Sequence, residues 1–348
     1  MQVSRPGEPS YGRGGTFLKL PLALEPSELA GCDVAILGAP TDELVTNRPG
    51  ARFGPRAIRN AEYLWGSPPS RPNMDVGVDP FEVLKVVDYG DVGVVPGYPL
   101  MTHEEIRKAV GEICAAGALP VILGGDHSIA HPDVGAVATH HAPDPVGLIH
   151  FDAHADDAWE EPRLTHGTPL RLLVEEGSIQ GRHIVQVGLR GYWPEPSDFA
   201  WARDQGFRWY LMDEIVERGI GPVVGDVIRD VSDLAHVFLS VDIDVCDPAY
   251  APGTGTPEPG GMQARELLRA VRRVGAEVPL AGLEVVEVSP PYDHSDITAA
   301  LAHRVILEAL SGIALRRLGR EPRREAHGGV PEPRPRGAVG DNPQLRRA

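Results

Sequence analysis

The stretch His150-Phe151-Asp152-Ala153-His154-Ala155-Asp156-Asp157 decides the fold and carries the densest chemistry in the chain. The apolar run 146–149 leads into it and predicts a buried strand. Asp152, His154 and Asp156 follow at every second position, so an extended backbone would point all three the same way. Three such side chains are costly to bury unless a cation neutralises them. The stretch therefore predicts a divalent metal site at a strand end; the alternative is a polar loop of hydrogen-bonded acids.

Composition narrows the class of protein and the kind of partner. A hydrophobic content of 42% in 348 residues is typical of a soluble globular protein with an ample core. The net charge of −16 argues against nucleic acid or an anionic membrane and suits a small cationic ligand. The N-terminus lacks the apolar core of a signal peptide, and no apolar run approaches membrane-spanning length. Because the three cysteines lie in apolar stretches, we expect core thiols and a cytoplasmic location.

Short apolar strands alternate with helical patterns along the chain. This alternation predicts an α/β fold with a mostly parallel central sheet covered by helices on both faces. One predicted helix, 102–116, opens with a capping-box pattern at Thr102 and Glu105. No composition shift divides residues 21–318, so we expect one domain there, after a loosely held N-terminal arm (1–20). Residues 319–348 are rich in Arg, Pro and Gly and are predicted to be a disordered tail.

Acids and histidines collect where the predicted strands end, which is where open parallel sheets bind ligands. Carboxylates and imidazoles without organised thiolates favour Mn²⁺, with Ni²⁺, Fe²⁺ or Co²⁺ as alternatives, and argue against structural zinc. The carboxylates exceed what one ion needs, so we expect two bridged divalent metal ions. Five strands contribute, with Asp88 and Asp91; Asp126 and His127; Asp152, His154 and Asp156; Asp242 and Asp244; and Glu284 and Glu287.

Three motifs, in this order, resemble the ureohydrolase family, which includes arginase and agmatinase. They are Gly-Gly-Asp-His-Ser at 124–128, Phe-Asp-Ala-His-Ala-Asp at 151–156 and Ser-Val-Asp-Ile-Asp at 240–244, and the similarity covers roughly residues 30–316. The resemblance implies a three-layer α/β/α sandwich with a dimanganese-type centre. One ion would be bound by His127, Asp152, Asp156 and Asp242, and the other by Asp152, His154, Asp242 and Asp244.

The resemblance also implies catalytic roles. Glu287 would bind the guanidinium group of the substrate, while Asp156 delivers a proton to the departing amine and His166 relays protons to solvent. The products would be urea and an amine, or ammonia from free guanidine. The alternatives are a strand-end acid in a salt bridge for Glu287 and a helix-capping loop histidine for His166. Glu284 is expected to be structural.

The loop at 157–165 bears on the choice of guanidino compound. Arginases carry Asn and Ser there, whereas this loop has neither, so an agmatine-type substrate is our first expectation. Trp159 and Glu160 are expected to contact the substrate, with Glu160 meeting a distal ammonium. Arg163 could instead meet a carboxylate, as in 4-guanidinobutyrate. Free guanidine or an alkylguanidine would suit a narrow pocket, and Ni²⁺ is an alternative to Mn²⁺ in this branch.

Two interpretations from other classes stay open at this stage. A single-metal deacetylase of similar fold would need one Asp-His-Asp site and would leave His127 and Asp244 spare. A non-catalytic assembly subunit is the other, because members of the family typically form trimers or hexamers. The resemblance itself implies a homo-oligomer, a trimer or a hexamer.

Overall fold

The computed structural model describes residues 11–12, 15–62, 72–159, 161 and 163–320. Eight strands form its central sheet: β1 Val34–Ala39, β2 Val86–Asp91, β3 Leu119–Gly124, β4 Val146–Phe151, β5 Ile184–Leu189, β6 Arg208–Leu211, β7 His236–Asp242 and β8 Leu280–Val286. Their order across the sheet is β2-β1-β3-β8-β7-β4-β5-β6, and every pairing is parallel. The prediction of an α/β fold with a mostly parallel sheet is confirmed.

Helices cover both faces of this sheet. They are α1 Gly54–Asn60, α2 Pro80–Val83, α3 Pro99–Ala115, α4 Ala130–His141, α5 Pro169–Glu175, α6 Pro196–Gln205, α7 Met212–Arg218, α8 Ile220–Asp230, α9 Ala264–Glu277 and α10 Ile297–Arg317. Successive residues of β1 alternate between two buried clusters: Val34 and Ile36 join the one that contains α8, α9 and α10, and Leu37 joins the one that contains α3 and α4. The molecule therefore has the three layers that the resemblance implied.

Helix α10 is long and apolar because it runs through the core. It is the one helix of the described residues whose length and composition would suit a membrane span, and 72% of its apolar window is buried inside the fold. Its face against α9 contains Gly312, which lies close to Gly275. The two glycines let the helix backbones approach closely.

The N-terminal arm is corrected by the structure. Phe17, Leu18 and Leu20 are buried, the backbone N–H of Phe17 donates to Asp88, and the Phe17 ring stacks on His303 at 4.3 Å. The prediction of a loose arm is therefore wrong for residues 17–20, because three apolar side chains there join the core. Residues 1–10, 13 and 14, and positions 321–348 of the predicted tail, lie outside the described residues.

Helix α3 begins earlier than its sequence pattern indicates. Its first residue is Pro99, a position where proline is favoured because its missing N–H would have no helical partner. Thr102 lies inside the first turns, and its hydroxyl accepts a hydrogen bond from the backbone N–H of Val95. The predicted capping box is therefore wrong, since Thr102 fastens the preceding loop instead.

Candidate metal centre and active site

The candidate site lies at the carboxyl ends of four neighbouring strands. Strands β3, β8, β7 and β4 are adjacent in the sheet, and each one ends in a segment that carries predicted site residues. Parallel strands present these ends at one edge, so segments far apart in sequence meet there. The structure brings together the six predicted metal ligands, His127, Asp152, His154, Asp156, Asp242 and Asp244.

The first cluster surrounds the Nδ1 atom of His127. Carboxylate oxygens of Asp152, Asp156 and Asp242 lie 3.0, 2.9 and 3.2 Å from it. All four side chains are buried. This is the set that the resemblance assigned to one ion.

The second cluster surrounds the Nδ1 atom of His154. It lies 3.1 Å from Asp244 Oδ2 and 3.6 Å from Asp152 Oδ1. Asp152 thus faces the first cluster with Oδ2 and the second with Oδ1, as a bridging carboxylate would. Asp242 faces His127 with Oδ2, while its Oδ1 accepts the backbone N–H of Asp244 at 2.8 Å.

The donor set fits divalent cations. Among the described residues, no atom forms a hydrogen bond with the buried His127 Nδ1 or Asp152 Oδ2. Burial, Asp244 and Asp152 raise the pKa of Asp242 well above its ordinary value, and burial and Asp152 raise that of Asp156. Four carboxylates against two imidazoles leave an excess of buried negative charge, which cations would relieve. The oxygen and nitrogen donors suit Mn²⁺-like ions and contain no thiolate.

Three buried polar side chains on neighbouring strands lie next to these ligands, further into the sheet. His150, Ser240 and Glu284 are paired in register across β4, β7 and β8. His150 Nε2 lies 3.0 Å from Asp152 Oδ2, and Ser240 Oγ lies 2.8 Å from His127 Nε2. Glu284, which we expected to be structural, lies 3.7 Å from that same His127 nitrogen.

His150 and Ser240 were missed by the sequence analysis. Each stands two residues before a predicted ligand, so the period-two pattern already placed it on the ligand's side of the strand. The amide nitrogen of Gln186 lies 3.4 Å from His150 Nδ1. His150 Nε2 faces Asp152 Oδ2 but forms no hydrogen bond among the described residues, and it lies within reach of the donor atoms of His127, Asp152 and Asp156, so His150 belongs to the surroundings of the first cluster.

The two carboxylate oxygens of Glu287 have different surroundings. Its Oε1 accepts the backbone N–H of His127 at 2.8 Å and lies 2.9 Å from His166 Nδ1. Its Oε2 is buried and has no hydrogen-bond partner among the residues that the structure describes. A Cβ atom on Gly255 would lie 3.4 Å from Oε2, so the glycine leaves the space beside that oxygen clear.

The charges of Glu287 and His166 stabilise each other. Burial by itself favours the neutral carboxyl, but His166 and the His127 N–H hold the pKa of Glu287 below its ordinary value. Burial likewise favours the neutral imidazole, but Glu287 raises the pKa of His166 to about 9. His166 does not cap α5, whose N-cap is Thr168. Its Nε2 instead faces Thr46, a residue that the sequence analysis did not single out.

The predicted substrate loop is only partly described. The Trp159 side chain is 55% exposed, and the Arg163 guanidinium lies 4.0 Å above its ring. Arg163 also forms an ion pair with Glu175. Glu160 lies outside the described residues, so its contact with substrate stays a prediction, as does that of Trp159. The aromatic ring of Trp193 lies 5.9 Å from His154, at the second cluster.

Comparison with known proteins identifies the family. The profile of the Arginase family matches residues 32–312. The proclavaminate amidinohydrolase of Streptomyces clavuligerus is 40% identical over 304 residues, which cover 87% of this chain and 94% of that protein. The human mitochondrial guanidino acid hydrolase is 39% identical (86% and 82% covered), and the chicken mitochondrial agmatinase is 41% identical (85% and 84% covered).

Solved structures agree with the sequence relatives. The structure of the Streptomyces clavuligerus amidinohydrolase is 38% identical, has a TM-score of 0.79 and is covered completely, against 89% of this chain. Trypanosoma cruzi formiminoglutamase, described with Mn²⁺, is 25% identical with a TM-score of 0.76, and the match covers 86% of this chain and 99% of that one. The resemblance to ureohydrolases is thus confirmed, and the chain belongs to the arginase family.

Proposed function

We propose that this protein releases urea from a linear guanidino compound at a centre of two divalent cations, with Mn²⁺ as the preferred ion. Membership of the arginase family makes the chain a metal-dependent hydrolase of carbon–nitrogen bonds. The observation that carries the proposal is the buried Oε2 of Glu287, which has no hydrogen-bond partner in the described part of the chain and belongs to a carboxylate held against His127 of the first cluster. A fixed carboxylate oxygen of this kind suits a planar cation such as guanidinium.

The two clusters would hold one ion each. His127, Asp152, Asp156 and Asp242 would bind the first, and Asp152, His154, Asp242 and Asp244 the second. Cations there would supply Lewis-acid polarisation and lower the pKa of a bound water. Mn²⁺ is supported by the chemistry of the donors and by the ion in the formiminoglutamase structure.

The side chains of the chain account for binding and proton transfer. Glu287 Oε2 accepts an N–H of the guanidinium, while the bonds of Oε1 fix the orientation of the carboxylate. Asp156, beside His127, takes the proton of the attacking water and passes it to the departing nitrogen. His166 exchanges protons with solvent, so the site returns to its starting charge after each turnover.

Agmatine is the first candidate substrate, as for the chicken relative. A guanidino acid is the second, and Arg48 is the observation that favours it. Arg48 is exposed, stacks on Tyr292 at 5.3 Å and has no ion pair among the described residues, and its carbonyl borders Gly255 near Glu287. A free cation at this position suits a substrate carboxylate, whereas Arg163 is already paired with Glu175.

A urea-release screen tests the function. Protein loaded with Mn²⁺ or Ni²⁺ is assayed with agmatine, 4-guanidinobutyrate, guanidine, methylguanidine and arginine, and we expect agmatine or the guanidino acid to be cleaved fastest. Glu287→Gln should lower kcat/KM at least about 100-fold while both metal ions stay bound. One ion per chain would favour the deacetylase alternative. No urea from any compound by fully metallated protein would contradict the proposal.

Two further properties complete it. We propose a trimer or hexamer, as is typical of the family, which light scattering of the purified protein tests. We also propose a cytoplasmic location, supported by the three buried cysteines, Cys32, Cys114 and Cys246, all of them free thiols.

A further inference from the structure

The segment 41–50 crosses the face of the His166 ring and is held in place by hydrogen bonds to other parts of the chain. The backbone N–H of Leu44 donates to Asp126 Oδ2 at 3.2 Å, and the Leu44 carbonyl accepts the backbone N–H of His166 at 3.0 Å. Further along, Asn47 Nδ2 donates to the Gly255 carbonyl at 3.3 Å. Thr46 lies between these bonds, so its position over the ring is well determined.

Thr46 presents two atoms to the same ring nitrogen. Its backbone nitrogen lies 3.1 Å from His166 Nε2, and its Oγ1 lies 2.7 Å from it. His166 is 8% exposed, whereas Thr46 is at the surface. Within the described part of the chain, Thr46 is the partner through which this nitrogen meets solvent.

The two atoms of Thr46 suit different protonation states of His166. When the ring is neutral, with its proton on Nδ1 toward Glu287, Nε2 is an acceptor and the Thr46 N–H can donate to it. When the ring is charged, Nε2 carries a proton that a backbone N–H cannot accept. The hydroxyl can, because it donates or accepts as its hydrogen rotates. Oγ1 is thus the group that serves both states.

We propose that Thr46 is a positioning residue for His166 and that the Thr46 hydroxyl passes protons between the His166 ring and water. The Nε2 proton moves to Oγ1 as the Oγ1 hydrogen leaves to a water, and the reverse transfer recharges the ring. Each group ends with the hydrogen count that it had at the start. This inference rests on the proposed function, because it gives His166 its exchange with solvent.

Other charges around His166 stay the same when Thr46 is changed. The acids that act on the ring are Glu287, 2.9 Å from Nδ1, and, at longer range, Asp126 and Asp156. They favour the charged ring from the protein side. Loss of the hydroxyl removes the acceptor on the solvent side alone, so it should make the charged ring less stable.

The decisive comparison is Thr46→Val against Thr46→Ser. Valine keeps the shape and the backbone N–H but removes the hydroxyl, so we expect kcat to fall about tenfold with little change in KM. The alkaline limb of the kcat–pH profile should move about one unit lower, because the charged ring loses its acceptor. Serine keeps the hydroxyl and should restore both values. Asn47→Ala, which cuts another side-chain bond of the segment, should not move the limb.

Histidine ¹⁵N NMR of metal-free protein gives a measurement independent of activity, with His166→Asn for assignment. We expect the His166 pKa to be lower in Thr46→Val than in wild type or Thr46→Ser. The inference is overturned if the valine variant keeps the wild-type kcat, limb and His166 pKa, or if serine is as slow as valine. If wild-type protein releases no urea, the proposed function fails, while the NMR comparison still tests the contact.

Discussion

Asp156 and Glu287 share a backbone conformation that residues other than glycine rarely adopt. Their φ angles are 50° and 61°, in the left-handed region, which costs roughly 1–2 kcal/mol per residue. Hydrogen bonds hold both in place: the Asp156 carbonyl accepts from Leu170, and the Glu287 N–H donates to Gly125. The surrounding fold keeps the strained angles at two residues to which we assign binding and proton transfer, as expected of a preorganised site.

At the residue scale, His150 provides a test of how the ligands are oriented. Replacing it by leucine removes the ring nitrogen Nε2, which lies 3.0 Å from Asp152 Oδ2, and we expect metal affinity to fall about 10- to 100-fold. Chelator competition with metal analysis measures this. His140→Leu, at an exposed site on α4, is the control and should bind metal normally. Equal affinities of the two variants would show that His150 does not support the centre.

The sequence allowed prediction of the ligands more readily than of their supports. Asp152, His154 and Asp156 stand in one short motif, so spacing alone indicates a common direction. Thr46 meets His166 across 120 positions of the chain, and no local pattern marks that contact. Such partners become visible only when the fold brings the segments together.

At the element scale, the crossing of α9 and α10 depends on glycine. A Cβ atom on Gly312 would collide with the Arg272 carbonyl oxygen, so Gly312→Ala should cost about 1–3 kcal/mol of unfolding free energy. Gly111→Ala in α3 is the matched control, because nothing lies within 4 Å of its added Cβ. Alanine there should stabilise by up to about 1 kcal/mol. Urea unfolding measures both, and equal effects would contradict the packing argument.

Strands were predictable where burial on both faces produces a clear apolar run in the sequence. Strands β1, β3, β4, β7 and β8 are buried on both faces and appear as apolar runs. Strand β6 is an edge strand with exposed ends, and the sequence analysis did not identify it. The start of α3 was missed for a related reason: proline at a first turn and a capping threonine give similar signals at neighbouring positions.

At the scale of the whole molecule, burial favours the neutral form of two histidines in the core. Burial lowers the pKa of His103 to about 3 and that of His303 to about 4. His303 joins three parts of the fold: it belongs to α10, its Nδ1 donates to the Ile58 carbonyl of α1 at 2.9 Å, and its ring stacks on Phe17. Protonation of this ring therefore opposes the packing of the N-terminal segment.

The lowered pKa of His303 predicts that the folded protein loses stability in acid and that part of this loss can be assigned to one residue. The unfolded chain protonates His303 near its ordinary pKa of 6.5 and the folded chain only near 4, so stability is lost as pH falls between these values. The loss is about 1.4 kcal/mol per pH unit, or about 3 kcal/mol in all. His303→Asn keeps an N–H for Ile58 but does not titrate here. Urea unfolding of metal-free wild type and variant from neutral pH down to about pH 4.5 isolates the effect, since all other groups are common to both. The stability of wild type minus that of the variant should decrease as pH falls, and a difference independent of pH would show that His303 is not the group responsible.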